Sequence, residues 1–511
     1  MKRFKLLTAV FAMAMMVAGC GTTQTETDPN KDTAIQNPVE ITLSDSKIQV
    51  NGSPAETTPE HGVYIGNDIV YYEAGRDFTY GEGSAEDAHS AEAAALHTVV
   101  HITQPGTYRI SGSLSKGQIA VDLGEDAAED PTAVVTLILN GTDITCEVAP
   151  AIIFYNVYEC GSADADQASG NVDTSLAGAN VIIADGTTNT VNGSYVARIY
   201  KQDSVVLNEA ETEVEDAKKL HKYDGAFYSR MSMNVTGEQE NSGILTINAE
   251  NEGLDTELHL TINGGTIFIN SGNDGINTNE DGVSVTTING GELHIRVTGE
   301  TGEGDGIDSN GWLVINGGTV TAEACAFSAD AGIDSDMGIH INGGTVIATG
   351  HMLDRIEDGG QTYAVFTFAD QQSGSHPITL KNTTGDSVLA SCPDNDYSIL
   401  IYSSPDLTEG TYTLWNDGVQ LAGQHGGTMG GAGMHGMMPD GGRPPEGDTP
   451  NGSTPPEPPQ GMTPPAGGDP ADRPDGQRAP MGGNDGLSPE LTTDFSISEG
   501  GNQFQSITSA E

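Results

Sequence analysis

The chain has 511 residues, of which 67 are glycine and 24 are proline, while aromatic residues make up only 5%. Its 73 acidic side chains against 20 basic ones give a formal net charge of -53. A surface this acidic repels nucleic acid and anionic membranes, so we exclude both as partners, and it attracts divalent cations. The glycine content argues for many turns rather than one large globular core.

Residues 1–20 are typical of an export signal, with basic Lys2, Arg3 and Lys5 ahead of an apolar run. The segment closes on Val-Ala-Gly-Cys, the pattern of a bacterial lipobox, which predicts lipid attachment at Cys20; a plain secretory signal is the alternative. We therefore expect an exported monomer, lipid-anchored to the outer face of the bacterial cell membrane. The anchor would be its contact with the membrane, because the apolar run is shorter than the about 20 residues that a span needs.

Composition divides the rest of the chain into five segments. These are a flexible tether (21–40), N-terminal strands with an insertion (41–97), a long series of strands and turns (98–421), a low-complexity segment (422–490) and a final strand (491–511). The Ala/Glu-rich stretch Ser84–Leu96 predicts a single helix. The Gly-, Pro- and Met-rich low-complexity segment predicts disorder.

The cysteines beyond the signal are Cys146, Cys160, Cys325 and Cys392, and their spacing matches no zinc pattern. A disulfide between Cys146 and Cys160 and buried free thiols are both compatible with this spacing.

An Ile-Asn-Gly-Gly phrase recurs four times, with its asparagines at intervals of 26, 27 and 26 residues. The second and fourth residues after each phrase are apolar, and the residues between them vary. The apolar positions are Ile267, Leu293, Val320 and Val346, followed by Ile269, Ile295, Ala322 and Ala348. Such alternation predicts a strand with one buried face. A unit of this length holds several short strands stacked on those of the next unit, which predicts an all-β, right-handed parallel β-helix (a solenoid) over residues 98–421.

The repeated phrase has its own structural explanation. Two glycines give the backbone freedom to turn a corner. The asparagines should stack as a ladder in which each amide bonds the next, and they are Asn263, Asn289, Asn316 and Asn342.

Acidic phrases travel with the repeat at a nearly fixed offset. Asp255, Asp308 and Asp334 each precede the next repeat asparagine by eight residues, and Asn277 does so by twelve. We expect these side chains to stack at about 4.8 Å, the spacing of paired strands. Two unit charges this close repel by about 1 kcal/mol in water and by more where solvent is excluded.

A bound cation would relieve that repulsion, and Ca²⁺ accepts carboxylate, amide and carbonyl oxygens. We predict calcium between the coils, with Asp and Gly serving merely as turn formers as the alternative. The candidate ligands are Asp255, Asn273, Asp274, Asn277, Asp305, Asp308, Asn310, Asp330, Asp334 and Asp336.

Several phrases resemble a bacterial carbohydrate-binding β-helix family described from a cellulolytic clostridium. They include "GTYRISGSLSKGQIAVDL" (106–123), "LILNGTDITC" (137–146), "DGAFYSRMSMNVTG" (224–237) and "IYSSPDLTEGTYTLWNDG" (401–418). The family is similar in fold to pectate lyases, binds calcium and is associated with cellulose and pectin-like polysaccharide. The resemblance therefore implies non-catalytic, calcium-dependent binding of plant cell-wall or acidic polysaccharide, of cellulose or polyuronate type.

Two alternatives remain open at this stage: a pectate-type polysaccharide lyase and a structural surface adhesin. A lyase needs a base to take the proton beside a uronate carboxylate. Arg296 is the candidate, but an ion pair with Glu323 in the next coil explains it more simply. For a binding protein, exposed rings at Phe268, His294 and Trp312 are the candidate sugar contacts.

Overall fold

Short strands stacked in parallel account for most of the chain up to Gly350. The computed structural model describes residues 37–426 and 491–510. Those from Val39 onward belong to one compact unit. Helix within the described residues is limited to α1 (Ala91–Ala94) and to 3-10 turns at Glu125–Glu129, Ala165–Gln167 and Gln202–Ser204. The predicted all-β class is confirmed, and the right-handed solenoid stays a prediction.

The strands before the repeat region are β1 (Val39–Leu43), β2 (Gln49–Val50), β3 (Ser53–Pro54), β4 (Val63–Gly66), β5 (Thr98–Ile102), β6 (Gly106–Leu114), β7 (Gly117–Asp122), β8 (Val135–Cys146), β9 (Ile152–Asn156), β10 (Ala179–Ile183), β11 (Thr188–Gly193), β12 (Val196–Tyr200), β13 (Val206–Leu207), β14 (Val214–Asp216) and β15 (Lys219–Tyr223). Those of the repeat region are β16 (Gly225–Ser229), β17 (Met233–Gly237), β18 (Ile244–Ala249), β19 (Glu252–Thr256), β20 (His259–Ile262), β21 (Thr266–Ser271), β22 (Ile276–Thr278), β23 (Val285–Ile288), β24 (Glu292–Val297), β25 (Ile307–Ser309), β26 (Trp312–Ile315), β27 (Thr319–Glu323), β28 (Gly338–Ile341) and β29 (Thr345–Gly350). The last are β30 (Tyr363–Gln372), β31 (Ile378–Asn382), β32 (Ser387–Ser391), β33 (Tyr397–Ser403), β34 (Gly410–Asn416), β35 (Val419–His425), β36 (Phe495–Ile497) and β37 (Gly501–Ser509).

Parallel pairing arranges these strands in three ladders. The first ladder runs β1, β6, β8, β10, β17, β20, β23, β26 and β28. The second ladder runs from the end of β8 through β11, β18, β21, β24, β27 and β29. The third ladder runs β5, β7, β9, β16, β19, β22 and β25. From β16 to β25, each turn of the chain thus adds one strand to each ladder.

The Ile-Asn-Gly-Gly phrases form the corners between the first and second ladders. The second glycine of each phrase has a positive φ, 92° at Gly265 and 90° at Gly291, which residues with a Cβ rarely adopt. Each repeat asparagine donates its Nδ2 to the Oδ1 of the preceding one at 2.9 Å, from Asn289 to Asn263 and onward to Asn342. The predicted corner and asparagine ladder are confirmed.

The alternating apolar residues point into the core as predicted. The eight aligned positions of β21, β24, β27 and β29 are at most 2% exposed, and each lies opposite its counterpart in the neighbouring coil. Apolar residues contributed by all three ladders form one continuous hydrophobic cluster. Each coil therefore depends on its neighbours to bury its apolar side.

The parallel course ends earlier than the predicted boundary at residue 421. After Gly350 the pairing becomes mainly antiparallel, and β33 lies antiparallel to both β29 and β30. Strands β30 to β37 enclose a second apolar core that includes Phe366, Phe495 and Phe504. The predicted final strand is two strands, and β37 pairs in parallel with β30.

Two further expectations need correction at the N-terminal side. The helix expected over Ser84–Leu96 is only α1, because a turn in which Ser84 N–H bonds the Asp87 carboxylate precedes it and Ser90 caps it. Strand β1 begins at Val39, inside the predicted tether. The insertion before Tyr223 forms antiparallel hairpins, β12 with β15 and β13 with β14.

Other sequence predictions fall outside the described residues, namely the signal with Cys20, the tether up to residue 36 and the low-complexity segment from 427 to 490. In the part of the chain that is described, no helix is long and apolar enough to cross a membrane. Cys146, Cys160, Cys325 and Cys392 are all free thiols, so the Cys146–Cys160 disulfide is absent.

Candidate functional site

The third ladder brings acidic and amide side chains of successive coils face to face. Asp255 in β19 lies opposite Asn277 in β22, which lies opposite Asp308 in β25. Their neighbours Leu254, Ile276 and Ile307 are buried in the hydrophobic core. Since successive side chains of a strand point to opposite faces, the acidic and amide groups line the other face of this ladder. This is the stacking that the fixed offset in the sequence predicts.

A first cluster of carboxylates forms around Asp255. One carboxylate oxygen each of Asp224, Glu252 and Asp255 lies within 4.8 Å of the others, and all three residues are buried. The Lys222 ammonium lies 2.9 Å from the Asp224 Oδ2 and forms an ion pair with it. We call these three acidic residues the inner cluster.

Amide groups hold one oxygen of two of these carboxylates. Asn277 Nδ2 donates to Glu252 Oε1 at 3.1 Å, and Asn279 Nδ2 donates to Asp255 Oδ1 at 2.7 Å. The second oxygens, Glu252 Oε2 and Asp255 Oδ2, are buried without a hydrogen-bond partner, as is Asn277 Oδ1. Leaving such an acceptor unpaired costs about 1–3 kcal/mol. Two carboxylate oxygens and one amide oxygen are donors that Ca²⁺ prefers, so the inner cluster fits a calcium ion.

A second cluster lies beyond the coil of β22, at β25 and the turn that follows it. One oxygen each of Asp305, Asp308 and Asp334 lies within 4.8 Å of the others, and all three side chains are partly exposed. The Asp334 N–H donates to the Ile307 carbonyl at 2.7 Å, which fixes the next coil against β25. We call this set the outer cluster, and it too offers only oxygen donors.

Burial and mutual repulsion raise the pKa of these carboxyl groups. Desolvation, followed by the charges of Asp354 and Asp336, raises the pKa of Asp334 to about 7. Desolvation, followed by the charges of Glu252 and Asp224, raises the pKa of Asp255 well above its ordinary value. Both shifts mean that the ionised forms are disfavoured unless a cation is close.

The remaining predicted ligands mostly hold the backbone. Asp274 Oδ1 accepts the Asp305 N–H at 2.7 Å, and Asp330 Oδ2 accepts the Gly304 N–H at 2.6 Å. Asn310 Nδ2 donates to the Asn279 carbonyl at 3.0 Å. Asp274, Asp330 and Asp336 are not among the carboxylates of the inner or outer cluster.

Asp224 and Glu252 are cluster residues that the sequence reasoning missed. Both precede a glycine, in Asp224-Gly225 and Glu252-Gly253, as do Asp274 and Asp305 in the later phrases. That shared dipeptide is the signal that could have found them. Asp224 stands where the chain leaves the hairpin insertion, and its approach to Asp255 depends on the pairing of β16 with β19.

The structure brings together two of the three predicted sugar-contacting rings. Phe268 and His294 lie opposite each other on the second ladder and stack with ring centroids 4.8 Å apart and an interplanar angle of 13°. Phe268 is 38% exposed. Trp312 belongs to the first ladder, on the other side of a Gly-Gly corner, so the three rings do not form one platform.

Trp312 is covered by residues 157–178, the connection from β9 to β10, which we call the strap. A Cβ at Gly170 would lie 3.0 Å from the Trp312 indole, so this part of the strap lies directly on the ring. Thr174 Oγ1 bonds Asn234 Oδ1 and Thr261 Oγ1, each at 2.7 Å, which fixes the strap to β17 and β20. The Trp312 indole therefore packs against the strap and helps to hold it in place.

Arg296 holds a loop instead of pairing with Glu323. Its Nε donates to Asn395 Oδ1 at 3.1 Å, and its Nη1 lies 4.0 Å from Asp394 Oδ2. Glu323 Oε2 accepts the N–H groups of Asp394 and Asn395 at 2.8 and 2.9 Å. Arg296 and Glu323 thus both bind the loop before β33 instead of forming the expected cross-strand ion pair.

Comparison with known proteins places these features in a family context. A family model described as carbohydrate-binding domain-containing protein matches residues 97–374, a range that includes both carboxylate clusters. A carbohydrate-binding domain-containing protein of Acetivibrio thermocellus is 30% identical over 173 residues, 33% of this chain and 44% of that protein. The match therefore spans less than half of that relative's length.

A solved structure, described as the polysaccharide lyase-like protein from C. thermocellum in a gadolinium derivative, is also similar. It aligns with 61% of this chain and 90% of its own, at 20% identity and a TM-score of 0.34.

Proposed function

Because the chain belongs to the carbohydrate-binding domain-containing family, we propose that it binds polysaccharide, depends on calcium to do so and does not cleave its ligand. The observation that carries the calcium dependence is the set of buried, unpaired oxygens on Glu252, Asp255 and Asn277. Such oxygens are destabilising unless a cation of the right chemistry accompanies them.

The fold that we propose for this function is a right-handed parallel β-helix over the coils up to Gly350, followed by the antiparallel strands. The three parallel ladders and the corner asparagines support it. A solenoid of this kind presents extended surfaces along its length, which suits a long polymer as ligand.

Calcium would be held by Glu252 and Asp255 of the inner cluster together with Asn277 of the next coil, and by Asp305, Asp308 and Asp334 at the outer cluster. A bound ion would supply positive charge that offsets the carboxylates and, at the partly exposed outer cluster, would attract the carboxylates of a polyuronate. With the ion bound, these residues would hold neighbouring turns together, since each cluster joins side chains from neighbouring turns.

Sugar contact would fall to the stacked rings of Phe268 and His294, because an exposed aromatic face can pack against the apolar face of a sugar ring. Trp312 lies under the strap and is not part of this contact. Arg296, the candidate base of the lyase alternative, is bound to the loop at Asn395, which supports a binding role over catalysis.

The setting of the protein is part of the same proposal. We place it outside the cell as a monomer, held at the outer face of the bacterial membrane by lipid on Cys20, with the low-complexity segment as an insertion. The adhesin alternative shares this setting but requires a protein partner instead of a glycan.

Sedimentation with insoluble polysaccharide tests the proposal. The full chain is incubated with cellulose and with calcium-free, insoluble pectic polymer, in calcium and in EGTA, while unsaturated product is followed by ultraviolet absorbance. We expect the protein to pellet in calcium, to stay in solution in EGTA and to form no product. Product that is lost in an Arg296→Ala variant would establish the lyase, and failure to pellet with any glycan would favour the adhesin.

A further inference from the structure

A groove on the outer face of the second ladder is separate from both carboxylate clusters. Its volume is about 310 Å³, within the range of small-molecule binding sites. It crosses the strands β8, β11, β18 and β21, and three asparagines and three glutamates contribute to its wall: Asn192, Asn248, Asn270, Glu147, Glu250 and Glu300. We call it the asparagine groove.

The three asparagines form a second amide ladder, aligned strand to strand. Asn192 Nδ2 donates to Thr145 Oγ1 at 3.0 Å, Asn248 Nδ2 to Asn192 Oδ1 at 2.8 Å, and Asn270 Nδ2 to Asn248 Oδ1 at 2.9 Å. Every member therefore points its amide in the same direction. Among the described residues no hydrogen bond ends on Asn270 Oδ1, so the ladder finishes in a free acceptor.

Each asparagine of the ladder also has an N–H group that the ladder does not use. A carboxamide carries two N–H bonds, and the ladder uses one from each asparagine. The spare N–H groups repeat once per strand, at about 4.8 Å, and the free carbonyl of Asn270 ends the row. A pyranose advances a polysaccharide by a similar distance, so a chain lying across the strands meets one amide per sugar.

The carboxylates at the groove favour a ligand that donates hydrogen bonds. Glu250 accepts from Ser194 Oγ at 2.6 Å, and Glu147 is paired with Lys116, which leaves oxygens on both for further donors. Glu300 is exposed at the rim. Sugar hydroxyls can donate to these groups, whereas a uronate carboxylate would be repelled by them.

An aromatic face lies next to the amides. Phe268 precedes Asn270 by two residues in β21 and so projects from the same face of the ladder. Its ring, stacked on His294, is exposed beside the groove. Hydrogen-bonding amides beside an open ring match the two kinds of surface that a sugar presents.

We infer that the asparagine groove binds a neutral, hydroxyl-rich polysaccharide chain laid across the strands, with successive sugars on Asn192, Asn248 and Asn270. This inference rests on the proposed polysaccharide binding and adds the surface and the class of glycan. It assigns neutral sugars to this groove and leaves the outer cluster for acidic ones.

Isothermal titration of the full, calcium-saturated chain tests the assignment, with a β-1,4-linked glucose hexamer and a galacturonate hexamer as probes. Asn248→Ala interrupts the groove ladder, and Glu300→Ala trims the exposed rim without touching the core. Asn316→Ala is the matched control, because it interrupts the other asparagine ladder at the corner. Near-ultraviolet circular dichroism shows that each variant is folded.

We expect Asn248→Ala to weaken binding of the glucose hexamer about tenfold or more, through loss of hydrogen bonds, and Glu300→Ala to weaken it less. Asn316→Ala should bind as the wild type does, and added salt should change the affinity little. Wild-type affinity in both Asn248→Ala and Glu300→Ala would overturn the inference, as would preferred binding of the galacturonate hexamer at the groove. If the protein pellets with polysaccharide but does not bind the hexamer, only the assignment of the groove is overturned. If it neither pellets with polysaccharide nor binds the hexamer, the proposed function is overturned as well.

Discussion

Asp255 lies entirely inside the protein, at 0% exposure, with one of its oxygens unpaired. Its neighbours Glu252 and Asp224 are also acidic, and the Lys222 ammonium supplies a nearby positive charge to this group. Burying several carboxyl groups around a single ammonium is costly. The arrangement is understandable if the inner cluster is completed by a cation.

Replacing Asp255 by asparagine should affect the calcium-free and the calcium-bound protein differently. Asparagine keeps the oxygen that accepts from Asn279 but lacks the charge, so calcium-free Asp255→Asn should be no less stable than the calcium-free wild type. With calcium at a hundred times its dissociation constant, one site stabilises the wild type by about 2.7 kcal/mol, and the variant should lose this gain. Thermal melting in calcium and in EGTA measures both effects.

The control for this comparison is Asp126→Asn, which changes an exposed aspartate in the 3-10 turn Glu125–Glu129. It should melt as the wild type does in both buffers. A variant at Asp255 that is strongly destabilised in EGTA would mean that its carboxylate is structural without a metal.

The pKa of Asp334 gives a prediction on pH. Its folded-state pKa of about 7 lies above the ordinary value of 3.8, so the folded protein binds more protons than the unfolded chain between these values. The contribution of this group to stability is therefore complete below the ordinary pKa and is lost as pH rises through the folded one. Calcium-free protein should melt at lower temperature at about pH 8 than at about pH 5.

Calcium should reverse that trend, because it binds ionised carboxylates and competes with protons. The rise in melting temperature on adding calcium should be larger at about pH 8 than at about pH 5, at about 2 °C per kcal/mol for a chain of this size. Asp334→Asn should reduce the difference between the two pH values. An increase in melting temperature that is equal at both would be inconsistent with calcium at the outer cluster.

At the scale of the element, the corner ladder shows how an exposed row of amides secures the stacking. Asn316 donates to Asn289 and accepts from Asn342, whereas Asn263 at the start of the row only accepts. Each net hydrogen bond contributes about 1 kcal/mol. A residue in the middle of the row therefore holds two coils, and a residue at its start holds one.

Asn316→Ala should lower the free energy of unfolding by about twice as much as Asn263→Ala, because it removes two ladder bonds instead of one. Urea denaturation measures this, and an unchanged dependence on urea concentration shows that the same surface is exposed on unfolding. Equal losses of unfolding free energy in the two variants would mean that the number of ladder hydrogen bonds removed does not determine the loss.

The elements that sequence reasoning predicts well are those whose signal repeats. Ile267 and Leu293 sit at the same offset from a Gly-Gly corner, and their burial follows from that offset alone. The facing of Asp255, Asn277 and Asp308 follows in the same way. Repetition supplies the alignment that one unrepeated segment lacks.

Other elements depend on contacts that leave no local pattern. The strap reaches Trp312 across more than a hundred residues of sequence, and only the fold decides that Gly170 lies on the indole. The loop at Asn395 takes Arg296 away from Glu323 for the same reason. Lys222 reaches the inner cluster where an irregular hairpin rejoins the repeat, so no offset predicts this contact.

For the whole molecule, the net charge of -53 acquires a structural meaning. Part of the negative charge is gathered into two clusters between coils, where it opposes stacking unless cations are present. Calcium would thus act on the coils as a group, since each cluster joins successive turns. The proposed sugar-binding surfaces on the second ladder would depend on the same stacking, which would link calcium to glycan binding at a distance from the ion.

Isothermal titration of the full chain with calcium measures how many ions the coils hold. We expect two saturable sites in the wild type, with one lost in Asp255→Asn and the other lost in Asp308→Asn. Absence of calcium binding by the wild type, or unchanged stoichiometry in both variants, would contradict this expectation.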